Sequence, residues 1–363
     1  MPTGQGDVPP RHVKGNHRPP AMSPLAFLTN PATPGRKTER HRKARLAALG
    51  AGALLAIYAL LLQFDMAPAW LGGGANSVSA VAPRSCGGHH QGPAVGSEYF
   101  HNRTVLYDSL SGPQEYSFLS SGKTSQSLKV SDLFEEKDGK LVPILKEQKV
   151  AVRANVLHVD RKEAHQMYQT VKRILSRYGF GDTAVWYQDP DMYHMSLWHA
   201  SHHLDPVPAS PREVGLEIVG VTQVTHKACP LRVSLDRVVL TSTGVVLGLW
   251  QLLSGTEPFD LRQQLRKNLP RSPETQLYDP VMLHTSFARI LKGPDSRKGV
   301  GNESGNMASV LREAAEELDK ELCGTQTTLS TLLYVEEWDL LALALDGRIT
   351  PRLLPLRCGE PIT

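Results

Sequence analysis

Hydropathy changes character three times along this chain. From Leu46 to Phe64 the sequence LAALGAGALLAIYALLLQF carries no charge, and Asp65 closes the run. Those 19 residues, at 1.5 Å rise, make a helix of about 28 Å, close to the hydrocarbon thickness of a bilayer. Every backbone group in lipid must bond within its own segment, so the pattern predicts one transmembrane helix. The run starts only after 45 residues and exceeds the apolar core of a cleaved leader, which favours an uncleaved signal anchor. Residues 1–45 have no apolar period and read as a disordered tail. Residues 65–148 read as a stem with partial structure, in which short apolar clusters between Glu98 and Ile144 dock on the C-terminal domain.

From Lys149 the periods become regular. Val150, Val152, Ala154, Val156 and His158 alternate, as a strand requires. Asp160 then stands as an N-cap with Glu163 three residues on. Ala164, Met167, Val171, Ile174 and Leu175 form one helical stripe, which Gly179 ends. A second strand covers about Tyr193 to Ala200, and Ser210-Pro211 starts another helix. Arg232–Leu240 and Val245–Leu252 are strands joined through Thr241–Gly244 in a hairpin. A helix over Pro258–Asn268 precedes a strand over Val281–Leu291. A last helix, carrying Val310, Leu311, Ala314, Leu318 and Leu322, leads to a strand near Leu329–Leu341. The strand–helix–strand unit occurs twice, implying two similar lobes that face each other. Residues 149–363 are thus one α+β domain.

Charge decides the orientation. Arg36, Lys37, Arg40, Arg42, Lys43 and Arg45 crowd the N-terminal side of the apolar run, whereas residues 65–85 carry only Arg84. Positive flanks stay cytosolic, so the tail faces the cytosol and the domain faces the lumen or exterior, a single-pass type II arrangement of the endomembrane system or plasma membrane. The basic, acid-poor tail also fits an organellar transit peptide. Two glycosylation sequons, at Asn102 and Asn302, lie on the exposed side. The net charge of +4 comes from this cluster and gives no reason to expect a nucleic-acid binder. Cys86, Cys229, Cys323 and Cys358 show no paired spacing for zinc or redox work; two disulfides and buried thiols both fit.

Two strings carry the chemistry. Tyr193-His194-Met195-Ser196-Leu197 and Leu283-His284-Thr285-Ser286-Phe287 are both His-x-Ser followed by an apolar residue, and both fall on strands. Side chains alternate along a strand, so each histidine shares a face with its serine. Two such strands side by side would gather two imidazoles and two hydroxyls. One imidazole can take a proton from water while the other gives one to a leaving oxygen. The hydroxyls can bind phosphoryl oxygens. A single His-x-Ser is a very weak signal, but two in matching positions are far more specific.

On these motifs the chain, over about Lys149 to Pro355, resembles the 2H (two-histidine) phosphoesterase superfamily, which includes RNA 2′,3′-cyclic phosphodiesterases and 2′–5′ RNA ligase-like proteins. The resemblance implies a bilobal fold with two antiparallel sheets flanked by helices. It implies paired acid/base roles for His194 and His284, substrate binding by Ser196 and Ser286, and no metal or other cofactor. The expected activity is hydrolysis of a cyclic (2′,3′-type) or related phosphate ester, on a small molecule or a short RNA end, with no obligatory protein partner. The alternative is a non-catalytic lumenal binding module that keeps the fold. A stalked glycosyltransferase shares the topology but lacks an Asp-x-Asp motif here. His199, His202 and His203 read as a polar loop leaving the strand rather than metal ligands. Arg289 reads as off the His284 face and in a structural ion pair. Tyr193 and Trp198 are candidates for stacking on a base, though packing is the commoner role for such residues.

Overall fold

The computed structural model describes residues 91–111, 116–122, 128–294 and 304–359. The apolar run Leu46–Phe64, the basic tail, Cys86 and Asn302 lie outside them. Among the described residues, no helix is long and apolar enough to cross a membrane.

The domain is α+β, built on two antiparallel sheets. The first has the order β11(Ile349–Pro355)-β10(Thr331–Asp339)-β3(Glu147–His158)-β5(His194–Ser201). The second runs β4(Val185–Tyr187)-β8(His284–Ile290)-β7(Val245–Ser254)-β6(Leu231–Leu240)-β9(Gln326–Leu329). A small hairpin, β1(Phe134–Lys137) and β2(Lys140–Pro143), stands apart from both. The periodic segments fold as their patterns dictate. In the Arg161–Arg177 helix the apolar stripe Ala164, Met167, Val171, Ile174 and Leu175 is buried, and the Asp160 carboxylate accepts the Lys162 amide. Gly179 follows at φ +84°, the left-handed conformation that closes a helix without a Cβ penalty. Ser210 and Glu213 form a reciprocal capping box at the head of the Pro211–Lys227 helix. The strand expected near Leu329–Leu341 is two: β9 pairs with β6 in the second sheet, and β10 pairs with β3 in the first.

Polar groups lock the helices to the sheets. Arg153, on β3, grips Glu217 of the Pro211–Lys227 helix with two hydrogen bonds of 2.8 and 3.1 Å, and the Tyr334 hydroxyl donates to the same carboxylate at 2.7 Å. With Arg153 only 2% exposed, these bonds must satisfy a charge that water cannot reach.

Residues before 149 also pack onto the domain. A helix over Glu98–Leu110 buries Arg103 and Tyr107 completely. Arg103 binds Glu257 through 2.6 and 3.2 Å contacts and also donates to the Gln251 side chain. Arg237 of β6 reaches back to Asp108 at 2.7 Å. Because this helix buries a charged and a phenolic residue, it shows no apolar stripe, and hydropathy passes over it. Asn102 is exposed on its surface, whereas the Thr104 hydroxyl of the same sequon is engaged by the Phe100 carbonyl and Gln251.

Cys229 and Cys358 form a disulfide across 129 residues of sequence, and Cys323 is also disulfide-bonded. Main-chain bonds from Arg357, Cys358 and Gly359 to Thr225, Ala228 and His226 run alongside the first bridge. Together they fasten the end of the first sheet to the helix that leads into the second. Closing so long a loop removes much of the unfolded chain's freedom, so replacing both Cys229 and Cys358 by serine is expected to cost about 2–5 kcal/mol. The midpoint of a denaturant melt measures it, and an unshifted midpoint would show that the bridge contributes nothing.

Candidate active site

Each His-x-Ser motif starts a strand, and the two strands belong to different sheets that meet at this point. His194 opens β5, the edge of the first sheet; His284 opens β8 in the second. The residues just outside the motifs join them: the Tyr193 and Phe287 rings lie 5.4 Å apart, and both are core. Tyr193 is therefore packing, not a stacking platform.

Both motifs end in the same irregularity. Along β3–β5 the register steps from Val156↔Ser196 to Asn155↔Trp198, leaving Leu197 as an extra residue. Along β7–β8 it steps from Leu247↔Ser286 to Val246↔Ala288, leaving Phe287 extra. A bulge of this kind resets which face the following side chains occupy. His194, Ser196 and then His199 lie on one face of β5; His284, Ser286 and then Arg289 lie on one face of β8. At the second bulge the Phe287 ring lies over Gly248, where a Cβ would meet it at 2.4 Å. Only glycine leaves room for the ring.

Two expectations are corrected by these bulges. His199 is not on a loop: it is a buried strand residue, and β5 runs on to Ser201. Arg289 is on the histidine face and, among the described residues, has no acidic partner. Its Nη1 is sealed from solvent with no hydrogen bond, and burial lowers its pKa to about 10, so it stays cationic at neutral pH. Neither residue is identifiable from alternation alone, because bulges arise from pairing with a neighbour. The one local hint is that each stands five places after its histidine. His202 is structural, donating from Nε2 to the Thr275 carbonyl and accepting the Asp205 amide at Nδ1. Among the described residues, no three His, Cys, Asp or Glu side chains are placed to hold a metal ion.

The four motif side chains are open for use. The Nδ1–H of His194 donates to the Met192 carbonyl at 2.8 Å, and its Nε2 has no hydrogen-bond partner among the described residues. Neither ring nitrogen of His284, and neither hydroxyl of Ser196 and Ser286, is hydrogen-bonded among the described residues, and none of these atoms is sealed from solvent. Burial lowers the pKa of His194, opposed by the Met192 carbonyl and reinforced by His158 directly across the strand pair. Burial lowers the pKa of His284 to about 3, and the charges of His194 and Arg262 add to the shift. The effect of His194 on His284 places the two imidazoles within electrostatic reach.

Two buried residues hold this geometry. Arg262, on the Pro258–Asn268 helix, donates to the carbonyls of Ser196 and Leu197 on β5 and of Pro280 and Met282 before β8, at 2.7–3.1 Å. The Tyr107 hydroxyl bonds Leu283, the residue before His284, at both N–H and C=O, and also bonds the Trp250 carbonyl.

No protein-family model matches the chain, and no curated protein matches it. Similarity is found among solved structures. TT0787 of Thermus thermophilus is 12% identical, covering 58% of this chain and 100% of its own, with a TM-score of 0.36. LigT of Escherichia coli, solved with NADP+, is 11% identical over 57% of this chain and 98% of its own, with a TM-score of 0.34. Usb1 of Kluyveromyces marxianus, solved with uridine monophosphate, is 15% identical over 57% and 99%, with a TM-score of 0.32.

Tyr107→Phe keeps the packing and deletes the hub, leaving the Leu283 N–H unpaired while its carbonyl keeps the Trp250 amide. The expected loss is about 1–3 kcal/mol of stability. Faster hydrogen exchange at the Leu283 amide would accompany it, and unchanged exchange there would show that the hydroxyl does not fix the strand.

Proposed function

We propose that this chain is a metal-independent phosphodiesterase that hydrolyses a cyclic (2′,3′-type) or related phosphate ester by paired-histidine acid/base catalysis. The observation that supports it best is the opening of both His-x-Ser strands onto one junction, where His194 Nε2, both ring nitrogens of His284 and both serine hydroxyls have no hydrogen-bond partner among the described residues. In this reading His284, whose imidazole burial keeps neutral, takes a proton from water. The water oxygen bonds to phosphorus, and the phosphorus–ester oxygen bond breaks. His194, whose Nδ1 bond to Met192 favours its charged form, gives its Nε2 proton to the leaving oxygen. The proton acquired by His284 then passes to solvent, and His194 is reprotonated. Ser196, Ser286 and the cationic Arg289 bind phosphoryl oxygens.

The disulfides suit an oxidising compartment. They support the lumenal or extracellular domain that the basic flank before Leu46–Phe64 calls for. Protease protection in sealed microsomes tests this placement, and a digestible domain would reject it. The non-catalytic alternative draws on the 9% exposure of His284, which limits what can approach it.

Assay of the full chain on 2′,3′-cyclic nucleotides separates the two readings. His194→Ala and His284→Ala are each expected to lower the rate by about 10²–10⁴. The double variant should lose far less than the product, since the pair acts as a unit. Both free imidazoles titrate below their usual value, while the productive state needs one of them charged. Above about pH 6.5 that charged fraction falls with each added pH unit, so kcat/KM should decline as pH rises through neutrality. The bound phosphate anion favours imidazolium, so kcat should hold to higher pH. Full activity in either single variant, or a kcat/KM that climbs from pH 6 to 8, would reject the mechanism.

A further inference from the structure

The chain passes from the second sheet to the first through residues 188–193, which leave β4 and enter β5 at His194. The first of them extends the β4–β8 ladder by one bond, the Gln188 N–H donating to the Phe287 carbonyl at 3.2 Å. The last reaches the same carbonyl through the Tyr193 hydroxyl, at 3.4 Å. Phe287 is the extra residue of the second bulge. Both ends of the link are therefore tied to the motif that carries His284.

Between those ends the link makes a single turn, Pro190–Met192, which the Asp189 side chain caps at its N-terminus. The last carbonyls of so short a turn find no partner within it and must be met from outside. The His158 Nε2–H donates to the Asp191 carbonyl at 2.9 Å. The Met192 carbonyl accepts two bonds, from the Nδ1–H of His194 at 2.8 Å and from the Gln188 side-chain amide at 3.1 Å. Gln188 is 3% exposed, so water is not at hand to replace its amide. The placement of that carbonyl decides where His194 keeps its proton. A neutral imidazole carries one N–H, and a fixed acceptor at one nitrogen selects which. When His194 gives up its Nε2 proton it is left in the Nδ1–H form, the form that the Met192 carbonyl stabilises.

We propose that Gln188 is a positioning residue for His194: its amide holds the Met192 carbonyl in line with Nδ1, so that the ring is fixed and Nε2 alone exchanges a proton at the junction. The proposal rests on the phosphodiesterase reading for the role of that proton, whereas the tautomer depends on no substrate. Because its own N–H is tied to Phe287, Gln188 sets the imidazole of one motif by the position of the other.

NMR of the full chain carrying isotope-labelled histidine reads the tautomer without calling on catalysis, and the His194 signals are those lost in His194→Ala. At about pH 8, above the ordinary histidine pKa of about 6.5, the unaltered protein should show His194 in the Nδ1–H form. Gln188→Met keeps the length of the side chain and the main-chain bond to Phe287, and removes the donor. It should move His194 to a mixture of the two neutral forms, and lower kcat by on the order of 10²-fold with KM little changed. An Nε2–H form in the unaltered protein overturns the proposal. So does an unmoved Nδ1–H form in Gln188→Met, even if that variant melts at a lower temperature, because a side chain that only stabilised the fold would behave in that way. A shifted tautomer in a chain that cleaves no ester supports the positioning role and counts against the phosphodiesterase reading alone.

Discussion

One guanidinium group, with no carboxylate in direct contact among the described residues, joins the two strands that carry the histidines. Arg262 is 3% exposed, and its counter-dipoles are four main-chain carbonyls, two from β5 and two from the approach to β8. Removing a cation from water costs several kcal/mol. Charge-assisted hydrogen bonds of about 1.5–3 kcal/mol each can offset that only if all are made together. The arrangement is therefore cooperative. It forms when both sheets stand at the right separation and is lost when either moves. The carbonyls of Ser196 and Leu197 are available to Arg262 because a bulge there interrupts regular pairing, so the local irregularity and the long-range clamp require each other.

The clamp is itself held from outside the two sheets. The helix bearing Arg262 is capped by Glu257, and that carboxylate is gripped by Arg103 of the Glu98–Leu110 helix. Tyr99 of the same N-terminal helix stacks on Phe259 at 5.1 Å. Tyr107, two turns along, fixes the residue before His284. The N-terminal helix is thus structural support for the junction: Tyr107 reaches the residue before β8 directly, and Arg103 reaches β5 only through the helix that bears Arg262.

Much of this was legible from hydropathy. The helix over 161–177 followed from its stripe and caps and the start of the next from Ser210-Pro211, and the helix over 258–268 and the strands carrying His194 and His284 were placed near their observed bounds. That each histidine shares a face with its serine also followed, since one pleat separates them. Alternation stopped being informative two residues later. The bulges at Leu197 and Phe287 depend on partners elsewhere, such as the missing side chain of Gly248, and a single strand read alone does not reveal them. Arg289 and His199 were misplaced for that reason. The Glu98–Leu110 helix was missed for another: Arg103 and Tyr107 are buried by hydrogen bonds rather than by apolarity, and a pattern of apolar positions has no way to register that.

The paired bulges have a consequence for how such a site diversifies. Each half presents a third position to the junction, five residues after its histidine, and that position is not one of the four motif residues. One half fills it with a guanidinium and the other with an imidazole, so two matching strand frames carry chemically unlike ports. A substitution at either port changes the charge and shape at one end of the junction while leaving His194 and His284 in place. Two similar strands, each interrupted by a bulge, thus set matched histidines between independently adjustable flanks.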